Sequence, residues 1–214
     1  MNARRKSIDR LYKDQLRGQE LADQIREVLS DLNAAILRHV SQVSIGASAL
    51  RNQGGKVIGP TRKYLSEEVS LDDIREALQD ERAFKRFLNG HTNKLKRKYN
   101  LQKEQGWGAA RKALNLFLRD VCYNAALAHA LGLPRSEKAW TERLQWLEVP
   151  LDGQVARELR KWDNRLPAWK GIRKLDPTVS SRYQASALRL ADELGTARVH
   201  LDLALWRREG KGLV

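Results

Sequence analysis

The chain has 214 residues, 42% of them hydrophobic and 31% charged, which is the balance of a globular protein with enough length for a proper core. Its net charge is not ordinary: 40 Lys and Arg against 26 Asp and Glu leave +14, so the first partner to look for is a polyanion, with nucleic acid ahead of an anionic membrane surface. Composition also closes several routes. Cys122 is the sole cysteine, so no intrachain disulfide forms. His39, His91, His129 and His200 are scattered without metal-ligand spacing, no apolar run reaches bilayer length, and "MNARRKSIDR" lacks the apolar centre of a secretory signal. The expectation is a cytoplasmic monomer, nucleoid-associated when bound to DNA, with no metal and no cofactor.

Helical periodicity runs almost throughout. Ser7 caps a first predicted helix with Ile8, Leu11, Ile25, Val28, Leu29, Leu32 and Ile36 on one side, broken near Gly18. A loop rich in glycine and basic residues follows, "IGASALRNQGGKVIGPTRKY". It lacks the Gly-Lys-Ser/Thr of a phosphate-binding loop and reads as a surface connection. Next, "SLDDIREALQDERAFKRFLNG" reads as one helix capped by Ser70, with Asp72 and Asp73 at its positive end and Gly90 closing it. A short basic helix, "TNKLKRKYNLQKE", leads to a Gly106-Trp107-Gly108 turn.

The most apolar helix runs from about Ala109 to Leu131 and stops at Gly132-Leu133-Pro134. It is followed by "SEKAWTERLQWL", capped by Ser136. A helix beginning at Gly153 comes next, then a tryptophan-rich irregular stretch and a long C-terminal helix ending in "HLDLALW". Strand signals are nearly absent. The fold class is therefore all-α: one multi-helix domain over 1–214, or two closely packed helical lobes around a cleft.

Charge is unevenly spread. From Arg82 to Lys112 there are ten Lys or Arg against one acid, Glu104, and a second basic stretch covers Arg157 to Arg182. A charge run is ordinarily a solvated face. Here the two runs flank "GWGAARK" and follow "PLD", which points to a polyanion-binding surface that includes Lys94, Lys96, Arg97 and Lys98.

Lys112, Asn115, Arg119 and Tyr123 fall at three- and four-residue steps, so they share one helix face, opposite Ala110, Ala113, Leu114, Phe117 and Val121. A lysine in the first turns of a largely buried helix, with Arg111 and Arg119 near, is shifted toward the neutral amine, which makes it a nucleophile candidate. The plain alternative is a phosphate contact. Asp152 follows Pro150 and precedes Gly153-Gln154-Val155, so it is a natural N-cap. A fixed carboxylate is also what cleavage of a glycosidic bond uses, to stabilise an oxocarbenium-like sugar. For an extruded base, Trp107 and Trp206 are the candidate stacking surfaces, while Trp140, Trp146, Trp162 and Trp169 read as core or interface.

Gly-x-Gly, a lysine soon after, an apolar helix and "VPLDGQVAREL" resemble the helix-hairpin-helix DNA glycosylases, and most of all their archaeal oxidised-guanine branch. The matching element is Pro150-Leu151-Asp152-Gly153-Gln154-Val155, and the likeness covers roughly 106–161. The resemblance implies that a hairpin at Gly106 and Gly108, with Arg111, Asn115 and Arg119, contacts duplex DNA. It further implies that Lys112 attacks the sugar C1′ to give a Schiff base and that Asp152 assists departure of the base. Three features depart from the family pattern: no Leu-Pro precedes the glycines, Lys112 lies four residues past Gly108 rather than two, and the gap from Lys112 to Asp152 needs an extra helix. If water is the nucleophile, Lys112 is left as a DNA contact. The alternative to a glycosylase is a non-catalytic, basic helical nucleic-acid-binding protein.

Overall fold

A computed structural model describes residues 17–28, 30–46, 48–50, 53, 57–99, 101 and 106–206. The expected cap Ser7 and most of the glycine-rich loop lie outside the described residues. All regular structure among those described is helical. Residues 17–28 are helical, and ten labelled helices follow: α1 Leu32–Val43, α2 Ile58–Glu67, α3 Leu71–Ala77, α4 Glu81–Lys98, α5 Trp107–Tyr123, α6 Ala125–Ala130, α7 Glu137–Arg143, α8 Gly153–Trp162, α9 Pro177–Glu193 and α10 Leu201–Trp206. Two 3₁₀ turns, Ile172–Lys174 and Arg198–His200, punctuate the last third. No described helix is long and apolar enough to cross a membrane.

The all-α class agrees with the sequence, but several boundaries moved, each for a capping reason. The stretch from Ser70 to Gly90 is two helices. Ser70 and Asp73 form a reciprocal capping box on α3, and Asp80 opens α4 by accepting the Ala83 N–H at 2.8 Å. Gly90 therefore sits inside α4, which absorbs the predicted basic helix. The long apolar helix divides at Asn124, whose side chain accepts from Ala126 N and Leu127 N to start α6. At the far end Gly195, with φ of 64°, ends α9, and a 3₁₀ turn separates it from α10. The Gly106–Gly108 turn is shorter than expected. Gly106 takes a left-handed φ of 89° as N-cap, and Gly108 is already in the first turn of α5.

Two apolar clusters form the core. The larger joins α1 to α7 through Leu37, Tyr64, Leu65, Ile74, Phe84, Leu88 and the apolar side of α5. The smaller joins α8, α9 and α10 through Val149, Leu151, Val155, Leu159, Tyr183, Ala187, Leu201 and Leu205. Helix α5 is buried from Gly108 to Leu118 and packs chiefly on α4. Its apolar side belongs to the larger cluster, which includes Cys122; burial pushes that thiol up to about 12. The polar side of α5 faces the elements of the smaller cluster, and this orientation creates the candidate site.

Candidate active site

The polar side of α5 forms a buried seam of ion pairs. Lys112 and Asp152, forty residues apart in the chain, meet there: Lys112 Nζ donates to Asp152 Oδ2 at 3.4 Å, with side chains 7% and 20% exposed. The second carboxylate oxygen is committed elsewhere. Asp152 Oδ1 accepts Gln154 N at 2.9 Å and Val155 N at 3.0 Å, so the first turn of α8 fixes the carboxylate while Oδ2 faces the lysine. The N-cap and the partner of Lys112 are one residue, each role using a different oxygen.

Position on α5 decides the other pairs. Three residues past Lys112, Asn115 Nδ2 donates to Glu148 Oε2 at 3.1 Å. Arg111 Nε stands 3.2 Å from the same oxygen, while its other nitrogens donate to Asn89 Oδ1 and Thr92 Oγ1 on α4. One further turn on, Arg119 holds two acids: Asp120, at 2.7 Å, and Asp202 of α10. Tyr123 at the end of the face pairs its hydroxyl with His200 Nδ1 at 2.6 Å. Thus Lys112, Asn115, Arg119 and Tyr123 do share a face, as their spacing predicted, and that face is interior rather than solvated.

Electrostatics follow from this burial. The Lys112 ammonium is shifted below the usual lysine range, first by loss of hydration, and Arg119 adds to the shift; Asp152 and Asp202 oppose it. Of the two arginines the sequence put beside it, Arg119 is the one that adds to the shift; the Arg111 guanidinium faces Glu148 and the α4 acceptors instead. Asp202 is raised, again by burial first, with Arg119 pulling the other way and Asp152 adding repulsion. Lys112 is therefore a desolvated amine with one long hydrogen bond to a held carboxylate. Chemically the pair places an amine that gives up its proton more readily than an ordinary lysine beside a carboxylate that can accept it.

The other sequence candidates are placed as follows. Gly106 and Gly108 are both buried. A Cβ on Gly106 would sit 3.0 Å from the Tyr99 ring, and one on Gly108 would sit 2.3 Å from the Ile172 carbonyl oxygen. The close approach that Gly108 permits is thus taken by the chain's own 3₁₀ turn. Trp107 is half-buried against the smaller cluster with the Arg111 guanidinium 5.1 Å from its ring centre. Trp206 ends α10, but its side chain lies outside the described residues. Lys94, Arg97 and Lys98 are exposed at the end of α4 and Lys96 is half-buried there, beside Gly106; Lys98 also reaches Glu68 at 3.4 Å.

Sequence reasoning missed Glu148, Asp202 and Arg198. Glu148 was legible as the acid four residues before Asp152, and Asp202 as a lone acid inside "HLDLALW". Arg198 carried no signal: its guanidinium is spent on the carbonyls of Trp146, Leu147 and Gln184, which no pattern announces. Of the core and interface roles read for Trp162, burial rules out the core: it stands 39% exposed at the end of α8. Among the described residues no group of three or more His, Cys, Asp or Glu is placed to hold a metal. In comparison with known proteins, no family model, no curated protein and no solved structure matches this chain.

Proposed function

We propose that the protein is a DNA glycosylase that extrudes a damaged or modified base from duplex DNA and cleaves its N-glycosidic bond, Asp152 and Lys112 being the reacting pair. The observation that carries this reading is the meeting of Lys112 Nζ with Asp152 Oδ2 at 3.4 Å, with the other oxygen held by a helix N-terminus. In this reading Lys112, in its free-amine form, attacks C1′ as the bond to the base breaks. The base leaves with the bonding electron pair, and Asp152 balances the positive sugar and takes the proton shed by the amine. Ring opening then gives a Schiff base at Lys112. The resemblance of Pro150–Val155 and of the glycine-lysine stretch to helix-hairpin-helix glycosylases supports the same assignment, and the basic end of α4 fits the duplex backbone.

The substrate base is tested directly. Wild type and Asp152→Asn are incubated with oxidised, alkylated, deaminated and phage-modified DNA, and free bases are read by mass spectrometry. A base released by wild type and absent with the variant supports the reading, and borohydride trapping then reports on Lys112. Tight, salt-sensitive binding with no base released from any DNA removes it.

A second reading has its own observation. Lys112 is 7% exposed, and the surface depressions lined by Trp162 and Arg189 or by Glu137 and Thr141 include neither member of the pair. That favours a non-catalytic helical nucleic-acid-binding protein whose seam joins its two clusters. Under it, Asp152→Asn lowers stability and leaves no activity to lose.

A further inference from the structure

The exposed end of α8 carries a second feature, outside the Lys112–Asp152 seam. Trp162 closes the helix 39% exposed, and the Arg189 guanidinium of α9 stands 5.9 Å from its ring centre. Beside them is an open depression of about 360 Å³ lined also by Lys161, Asp163, Asn164, Arg165 and Glu193. Asp163 is the carboxylate on which two arginines of the rim converge, with both of its oxygens committed. Oδ1 accepts the Arg165 backbone N–H at 3.2 Å and Arg165 Nε at 3.0 Å; Oδ2 accepts Ser186 Oγ at 3.2 Å and Arg189 at 2.5 Å. The effect is to hold two arginines at the rim with about half or more of each side chain in solvent, Arg165 at 78% and Arg189 at 49%. Glu193 is the remaining acid of the lining. The lining carries three cations, Lys161, Arg165 and Arg189, against Asp163 and Glu193, and the chain from Arg157 to Arg189 holds nine Lys or Arg against three acids.

An exposed indole beside fixed guanidinium groups has a specific complement. The ring face stacks on an unpaired base, and the arginines take the adjoining phosphates. We propose that this depression is a contact for unpaired nucleotides, with a base on Trp162 and the strand's phosphates on Arg165 and Arg189. The proposal rests on the nucleic-acid part of the reading above and not on its chemistry. It also has a natural geometry. Asp152 caps α8 and Trp162 ends its ten residues, so ten helical steps set the two about 15 Å apart on one rigid helix. That is roughly four nucleotide rises along a strand. A strand opened at the seam therefore reaches Trp162 a few nucleotides away, where a separated base needs a surface to stack on.

The test is binding by fluorescence anisotropy to a duplex carrying an unpaired tract and to the same duplex fully paired, at one low salt concentration. Trp162→Leu keeps an apolar side chain and removes the stacking face, while Trp162→Phe keeps a smaller one. Trp162→Leu is expected to weaken binding to the gapped DNA roughly five- to a hundred-fold and to leave the paired duplex within about two-fold. Trp162→Phe is expected to recover most of the loss, and both variants should melt like wild type. Equal behaviour of Leu and Phe, or the same change on both DNAs, overturns the proposal while the nucleic-acid reading stands. Failure of wild type to bind either DNA overturns both.

Discussion

Asp152 Oδ1 receives the two N-terminal amides of α8 while Asp152 Oδ2 receives the Lys112 ammonium from α5. This division allows the two roles to be separated by substitution. Asn at position 152 can still cap α8, since its carbonyl oxygen accepts the same amides. It removes the counter-charge of a buried lysine. We expect Asp152→Asn to lose about 1–3 kcal/mol of stability, read by denaturant unfolding, and to abolish base release while DNA affinity stays within a few-fold. An Asp152→Asn protein that still releases base would remove Asp152 from the chemistry.

Lys112 has a signed pH signature. Burial holds its folded-state pKa below the unfolded value, so between the two the unfolded chain binds more protons. Stability therefore rises with pH through the alkaline window below the ordinary lysine value, and is lowest below it. Lys112→Met is expected to flatten that rise, measured as unfolding free energy from pH 7 to 10. An unchanged slope would mean that the amine keeps its ordinary titration.

The two half-buried histidines act on the acid side. His91, paired with the Tyr64 hydroxyl at 2.7 Å, and His200, paired with that of Tyr123, are both shifted below the ordinary imidazole range, mainly by burial. Because the unfolded chain takes up protons first, stability is present above the unfolded pKa and is lost as pH falls through it. His200→Gln should reduce the loss of stability between pH 7 and 5, and His91→Gln should do so independently. If neither variant changes the slope, carboxylates govern the acid limb.

Glycine positions give a contrast of sign. A Cβ at Gly108 would lie 2.3 Å from Ile172 O and 2.7 Å from Leu175 Cβ, whereas nothing lies within 4 Å of one at Gly90 in the middle of α4. Gly108→Ala is expected to cost about 1–3 kcal/mol by forcing the 3₁₀ turn off α5. Gly90→Ala should add about 0.5–1 kcal/mol through helix propensity. Thermal melting should separate the two in opposite directions from wild type.

The basic end of α4 makes a salt-dependence prediction. Lys94 and Arg97 are exposed, and Lys94 acts on Asp73 through charge alone, without a hydrogen bond between them. If they neutralise phosphates, Lys94→Gln with Arg97→Gln should weaken DNA binding uniformly across sequences. The slope of log K against log salt should also fall by about two. A fixed slope would place the duplex on another face.

The all-helical class was written locally. Apolar residues recur at helical steps, and caps such as Ser70, Asp152 and the Gly106 turn are chemistry between neighbours in the chain. The alignment of Lys112, Asn115, Arg119 and Tyr123 was equally local, since helix geometry alone puts them on one face. Where Asp80 and Asn124 divide longer periodic stretches, the signal was also present, but apolar periodicity continues across both breaks and hides it. What periodicity cannot say is what a polar face meets. Only the packing of the 149–206 elements against α5 turns that face inward, places Asp152 on Lys112 and Asp202 on Arg119, and removes the water that would keep the amine ordinary. Capping and periodicity act over a few residues. Burial, ion pairing across forty or eighty residues and the exposure of Trp162 depend on how helices stack, so they were decided by the tertiary structure alone.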